Sequence, residues 1–319
     1  ITFNKKVFDL NDNQEEGLIL VEYFQFFPSL IPFSFFSYLL SKKYKSKIVA
    51  FHPRPNPVYK KIVLFLNNLP ISFFKIFKSF GTKKLITPLL DKNKYKNKTL
   101  EVISSIKSKK DLLNLKIENI LVGDLFYDEY LASKSKSTIN LKNKDFEEFL
   151  LEAVSLFYYW YDFYLKNSVN SVIISHSVYF VGLCGRIAAF KDIPVYQISA
   201  KHAYYLNKQN FIKNSNFISQ KNEFDKLNPE IKKKLKEISK NQLDKRFCGF
   251  KDIKLSNDQD TESKIYGKVN LKKKILKNSG NKTKILIAAP CFQDAQHAFG
   301  SNNLFVDSYE WINFLGKKK

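Results

Sequence analysis

The sequence predicts an α/β protein built on a parallel sheet. Two stretches, 17–51 and 170–198, each read as strand, helix, strand, and a further strand-like run opens at 284. The strand runs are short and apolar, as strands covered on both faces are. The segments between the runs have helical character, and strands alternating with helices imply right-handed crossovers.

Taken in order, Leu18-Ile19-Leu20-Val21 is the first strand, a helix runs from about Ser29 to Lys43, and Lys47 to Phe51 is the second strand, closed by His52-Pro53-Arg54-Pro55. The stretch Leu18 to Leu40 carries Glu22 as its only charge, but Pro28, Pro32 and several polar residues favour strand, turn and helix over one membrane-spanning helix. Residues 62–80 mix Phe with Lys75 and Lys78 and read as the edge of a buried helix rather than a segment lying on a membrane. Residues 91–115 are Lys-rich with helical spacing. Residues 117–122 form a short strand or extended segment ending in Gly123-Asp124, and Leu125 to Leu131 starts a helix.

The clearest helix is 145–166, where Phe146, Phe149, Leu150, Ala153, Val154, Phe157, Trp160, Tyr161 and Tyr164 recur at i, i+3, i+4 and i+7. Residues 171–174 are a strand, Ser175-His176-Ser177 a turn, 178–190 a helix and 194–198 the next strand. Gly182 and Gly185 give that helix one small face to press on the sheet, but there is no GxGxxG fingerprint for a dinucleotide. Residues 205–282 are polar, with a helix at 228–246 and a loop at 251–264. At 284–289 a fresh buried strand is expected, then a loop at 290–300 and a helix from Asp307 to Leu315 capped by Asp307 or Ser308. The division expected is a first domain over 1–280 and the start of a second over 281–319, truncated after Lys319.

A length of 319 residues suits two domains or one large one. With 44% apolar and 15% aromatic residues, a disordered or collagen-like chain is excluded. Cys184, Cys248 and Cys291 are too scattered for a disulfide framework or a zinc motif, which points to a reducing, cytoplasmic setting. The net charge of +23 suggests nucleic acid or an anionic membrane, yet only Arg54, Arg186 and Arg246 carry the guanidinium that phosphate and base readers favour. Much of the lysine excess fits an AT-rich coding sequence. Nucleic acid is therefore not expected as a partner, whereas peripheral attraction to an anionic bilayer is kept. There is no Met, not even at position 1, and no signal-peptide pattern.

Ligands of open α/β sheets bind beyond the carboxyl ends of the strands, so polar residues there are the candidates. His176 lies between strand and helix, where it can act as general base or simply bond its own turn. Asp124, followed by Asp128 and Glu129, can activate a hydroxyl or cap a helix. Asp294 and His297 share one loop and can contact substrate or order that loop. Arg186 can reach an anion or a carboxylate on a neighbouring helix, and His52 and His202 are weaker candidates. Walker A, GxSxG, HExxH and CxxC motifs are absent, which argues against P-loop NTPases, α/β-hydrolases and familiar metalloenzymes.

The run APCFQDAQHAFGSNNLFVDSYEWINFL at 289–315 resembles a segment of capsule and surface-polysaccharide biosynthesis proteins. Cys291, Phe292, Asp294, Ala295, His297, Gly300, Leu304, Phe305, Asp307, Tyr309, Glu310 and Trp311 match. Pro290, Gln293 and Gln296 stand where that family has His, Ser and Pro. VGDLFYDEYL at 122–131 is similar to a second family segment, and His176, Tyr179, Gly182, Arg186 and Ala188, followed by Ile193-Pro194-Val195, to a third. The resemblance implies a glycosyltransferase of the GT-B arrangement, with two facing Rossmann-like domains, the second only begun here. It implies a nucleotide-sugar donor, a glycan or lipid-linked acceptor, no metal and no further cofactor, at the inner face of the membrane. His176 or Asp124 would be the base, and Asp294, His297, Gly300, Arg186 and Tyr179 would contact substrate. The truncated chain would be inactive alone. The alternative is a non-catalytic glycan- or partner-binding protein of the same fold.

Overall fold

A computed structural model describes residues 2–8, 16–55, 73–199, 202–212, 216–247, 287, 291–298 and 303–317. The strand expected at 284–289 (Ile287 apart), the loop at 251–264, Cys248 and Gly300 lie outside the described residues. The chain forms two compact units, 1–214 together with 289–319, and 215–288. The segment expected to open a second domain thus belongs, from 289 on, to the same unit as the first strands.

In chain order the first unit holds α1 (Thr2–Val7), β1 (Leu18–Glu22), α2 (Phe27–Tyr44), β2 (Lys47–Phe51), α3 (Phe73–Ser79) and β3 (Lys84–Ile86). Then come α4 (Lys96–Ser105), α5 (Lys109–Leu113), β4 (Lys116–Ile117), β5 (Ile120–Leu121), α6 (Gly123–Lys134) and α7 (Lys144–Lys166). They are followed by β6 (Val169–Ile174), α8 (Tyr179–Phe190), β7 (Val195–Ile198) and β8 (Ala203–Leu206). The second unit holds α9 (Asn216–Lys226) and α10 (Pro229–Phe247), and α11 (Ser308–Lys317) returns to the first.

The sheet has six strands in the order β3-β2-β1-β6-β7-β8, parallel except for the antiparallel β7–β8 edge. The parallel α/β architecture read from the sequence is thus present, with a Rossmann-like order. Side chains alternate across the sheet, as the period of two requires. Leu20, Val49, Phe51, Val172 and Ile174 enter one core, with α6, α7 and α8. Ile19, Val21, Ile48, Ala50 and Ile173 enter the other, with Leu30, Phe33 and Leu40 of α2 and Phe74 and Phe77 of α3.

Three local readings differ from expectation and one agrees. The helix expected over 91–115 is two helices, because the Ser108 hydroxyl accepts from Asp111 N while the Asp111 carboxylate accepts from Ser108 N, a capping box that starts α5 afresh. The extended segment at 117–122 is part of a two-stranded hairpin, β4 with β5, turned by Glu118 and Asn119 at φ of 50° and 64°. The edge strands β3 and β8, three and four residues long, are too short to leave a periodic signal. Asp307 caps α11 by accepting from Glu310 N at 2.8 Å, as expected.

Candidate functional site

The chain leaves β1 through α2 to β2 on one side of it and later returns to place β6 on the other. The β1/β6 pair is therefore a topological switch point, where the crevice of an open α/β sheet lies. Glu22 ends β1, and Ser175, His176 and Ser177 follow β6. Glu22 is 5% exposed, and its Oε2 accepts from Ser175 N at 2.6 Å. Burial raises its pKa from 4.5 to about 7 against that bond. His176 is exposed, with Nδ1 2.8 Å from Ser175 Oγ and its ring edge-on to Phe24. Desolvation of the ring lowers its pKa, with Asp294 opposing, so the imidazole is mainly neutral at pH 7.

The turn after β6 is compact because α8 begins close to it. A Cβ on Gly182 would stand 2.5 Å from the carbonyl of Ser177, so no larger residue fits there without moving the turn. Tyr179 takes a left-handed φ of 57° at the start of the helix, an uncommon conformation for a bulky residue. Its hydroxyl donates to Asp294 Oδ1 at 2.7 Å, and Ala295 N donates to the same oxygen at 2.8 Å. These bonds, Tyr179 first, hold the Asp294 carboxyl below its usual range.

Deeper in, buried ions tie α6 to α8, to His297 and to Asp307. Arg186 is 2% exposed and donates through both terminal nitrogens to Asp124, at 2.6 and 2.8 Å, and to Leu121 O at 2.9 Å. Its Phe211-facing plane lies 5.6 Å from that ring. His297, 5% exposed, places Nδ1 2.6 Å from Asp128 Oδ1 and Nε2 2.9 Å from Val306 O, while its backbone N–H donates to Asp128 Oδ2. Both ring nitrogens thus face acceptors, which suits the doubly protonated ring. Burial works against that charge, but the Asp128 carboxylate and the Val306 carbonyl together hold the pKa above 6.5. Asp307 accepts from Tyr127, Thr138 and Lys109, and Lys109 also reaches Glu310 at 2.7 Å.

Two clefts open near these groups. One of about 600 Å³ is lined by His52, Arg54, Lys92, Glu129, Glu152, Phe149 and Phe180 among others. On its wall Arg54 pairs with the buried Glu129 at 2.9 Å, and Glu129 also accepts from Phe180 N in the first turn of α8. The other, about 510 Å³, lies along Cys291, Asp294, Gln296, Phe305, Asp307 and Trp311.

Of the residues singled out in the sequence, His176, Tyr179 and Asp294 come together at the rim of the switch point. Asp124, Arg186 and His297 are drawn inward and bonded within the protein. Arg186 finds the helix-facing carboxylate rather than an external anion, and the cap position of α6 is Val122, not Asp124. Glu22 was not singled out. Its signal was there, a carboxylate ending an otherwise apolar buried strand. Among the described residues no three His, Cys, Asp or Glu side chains gather as a metal site needs, and no helix is long and apolar enough to cross a membrane.

No family model matches the chain, no curated protein matches it, and no solved structure matches it. Fold and site together define an α/β protein with a mostly parallel, Rossmann-like sheet and a polar constellation at its switch point.

Proposed function

We propose that the protein is a GT-B-like glycosyltransferase that moves a sugar from a nucleotide-sugar to a capsule, lipopolysaccharide or other surface-glycan acceptor at the cytoplasmic side of a membrane. This chain would supply the acceptor-side domain. One observation supports the reading above others. The three segments that carry the resemblance are far apart in sequence, yet residues within them bond to one another: Asp124 with Arg186, Asp128 with His297, Tyr179 with Asp294 and Tyr127 with Asp307.

In this reading His176 is the general base. It is exposed and mainly neutral, and among the described residues no hydrogen bond engages its Nε2, which can take the acceptor hydroxyl proton as that oxygen attacks the anomeric carbon. The bond from the anomeric carbon to the nucleotide's phosphate oxygen breaks in the same step, and the nucleotide leaves with the bonding pair. Glu22 holds the turn through Ser175 N. Asp124 is a positioning residue, since both its oxygens are occupied by Arg186. Asp294, carried on its loop to Tyr179, is a charged group at this rim for a sugar hydroxyl.

The test is nucleotide release from a panel of UDP-, GDP- and CMP-sugars by protein expressed from the whole reading frame, with His176→Ala beside it. Release that falls roughly a hundredfold or more in the variant supports the base. A folded protein that neither binds nor turns over any nucleotide-sugar sinks the reading. The inward commitment of Asp124, Arg186 and His297 favours the second reading, a non-catalytic glycan-binding protein of this fold, and glycan binding that survives His176→Ala would select it.

A further inference from the structure

α2 and α3 cover one side of the sheet and α1 packs against α3, and these helices carry exposed apolar side chains where an ordinary surface helix is polar. On α2, Ile31, Phe35 and Leu39 recur every four residues and are 61%, 42% and 46% exposed, while Leu30, Phe33 and Leu40 face the core. α1 adds Phe3 and Val7, 73% and 51% exposed, and α3 adds Phe73 at 43%. The three helices make one layer. Phe8, just after α1, stacks on Phe80 at 4.8 Å and meets Tyr38 and Phe35 at 4.8 and 6.0 Å, and Asn4 Nδ2 donates to Ser79 Oγ.

The charge of this layer has one sign. The sequences of the three helices contain Lys5, Lys6, Lys42, Lys43, Lys75 and Lys78 and neither Asp nor Glu. Lys42, Lys43 and Lys78 are exposed. Protein interfaces are depleted of Lys and enriched in Arg, the reverse of this face. A second copy of the chain would set these lysines against themselves in a two-fold contact. A bilayer with anionic headgroups satisfies both features at once: the Ile, Leu and Phe side chains enter the acyl boundary while the ammonium groups remain among the phosphates.

We infer that the α1–α2–α3 layer docks the protein on an anionic lipid surface. The inference stands on this layer alone and holds whether or not the protein transfers a sugar. The experiment is cosedimentation of the 319-residue chain with vesicles of phosphatidylcholine, and of equal parts phosphatidylcholine and phosphatidylglycerol. The expected result is binding to the anionic vesicles at least about tenfold tighter than to the neutral ones. Ile31→Ser/Phe35→Ser/Leu39→Ser lowers that affinity roughly tenfold or more, and so does Lys42→Glu/Lys43→Glu, which leaves the ring contacts of Phe35 intact and so separates loss of binding from loss of packing. Lys232→Glu/Lys236→Glu on α10, a basic helix with exposed Ile231, Leu235 and Ile238, leaves binding unchanged. Three results overturn the inference: wild type indifferent to the anionic lipid, binding that survives the apolar triple variant, or binding lost with the α10 variant instead. A dimer in sedimentation velocity that dissolves in the triple variant, with no vesicle binding, assigns the layer to a second copy.

Discussion

On one side of the sheet, α2 and α3 pack Leu30, Phe33, Leu40, Phe74 and Phe77 against Ile19, Val21, Ile48 and Ala50, and the buried serines of α2, Ser34, Ser37 and Ser41, return their hydroxyls to backbone carbonyls. On the other side, α6, α7 and α8 enclose an aromatic core that also contains Asp128, Glu129 and Arg186, with Glu22, His297 and Asp307 buried beside it. The first side is held by contacts that have no direction, so any residues of the right size and pattern serve. The second needs particular partners at particular distances, because a buried charge without one is costly. The candidate site lies on the second side, at the end of the sheet where those partners converge.

The difference can be broken first by cutting one buried ion from its partner. Asp124→Ala leaves Arg186 buried and unpaired and should cost roughly 3–5 kcal/mol in urea unfolding, whereas Asp124→Leu with Arg186→Met should recover most of the loss. A double variant as unstable as the sum of its singles would show that the ion pair is not the cause. On the opposite side, Phe33→Ala should cost about 3–5 kcal/mol through the cavity it leaves, with the same value at every pH between acid and alkaline transitions. A pH-dependent loss at Phe33 would collapse the distinction between the two sides.

Glu22 sharpens the comparison through its proton. In the unfolded chain its carboxyl ionises near 4.5, while the folded protein retains the proton to about 7. Stability from this group is therefore whole below pH 4.5 and is lost as pH rises to 7, by roughly 3 kcal/mol. Glu22→Gln can still accept from Ser175 N, so it should flatten that decline and be more stable than wild type at pH 8; equal slopes would place the buried proton elsewhere. His297 adds a loss at higher pH. Its raised pKa makes its stabilisation complete below 6.5 and spent once pH passes the folded value, so His297→Asn should cost about 1–2 kcal/mol in acid and less in alkali. The smallest effect is expected at His176. Its ring is exposed and, among the described residues, hydrogen-bonded only to the adjacent serine, so His176→Ala should shift stability by less than about 0.5 kcal/mol while changing nucleotide release.

The longer strands and helices of both sides were legible in the sequence because their signal is periodic. The strand at 47–51 and the long helix near 145–166 stand where hydrophobic spacing puts them, within a residue or two. The short edge strands were not legible, since three or four residues carry no period. The polar side was legible only as a set of residue types. His176, Tyr179 and Asp294 could be marked as candidates, but spacing along the chain does not reveal that Asp124 is met by Arg186 or Asp128 by His297, because those pairs are made by tertiary packing. Glu22 escaped for the same reason. In sequence it is one charge in an apolar run, and its raised pKa arises from burial in the tertiary fold, which the bond from Ser175 N, 153 positions away, only opposes.

The bond between Asp128 and His297 also joins positions 169 apart. All six strands of the sheet precede residue 207, so on a chain emerging N-terminus first the sheet and α8 can assemble before His297 exists. Loop closure of this length costs only about 0.6 kcal/mol more than for a loop half as long, so lateness here is a matter of synthesis order rather than of entropy. It follows that the nascent chain passes through a stage in which Asp128 and Tyr127 are desolvated or wet without their final partners, and that the arrival of residues 291–307 closes the polar side last.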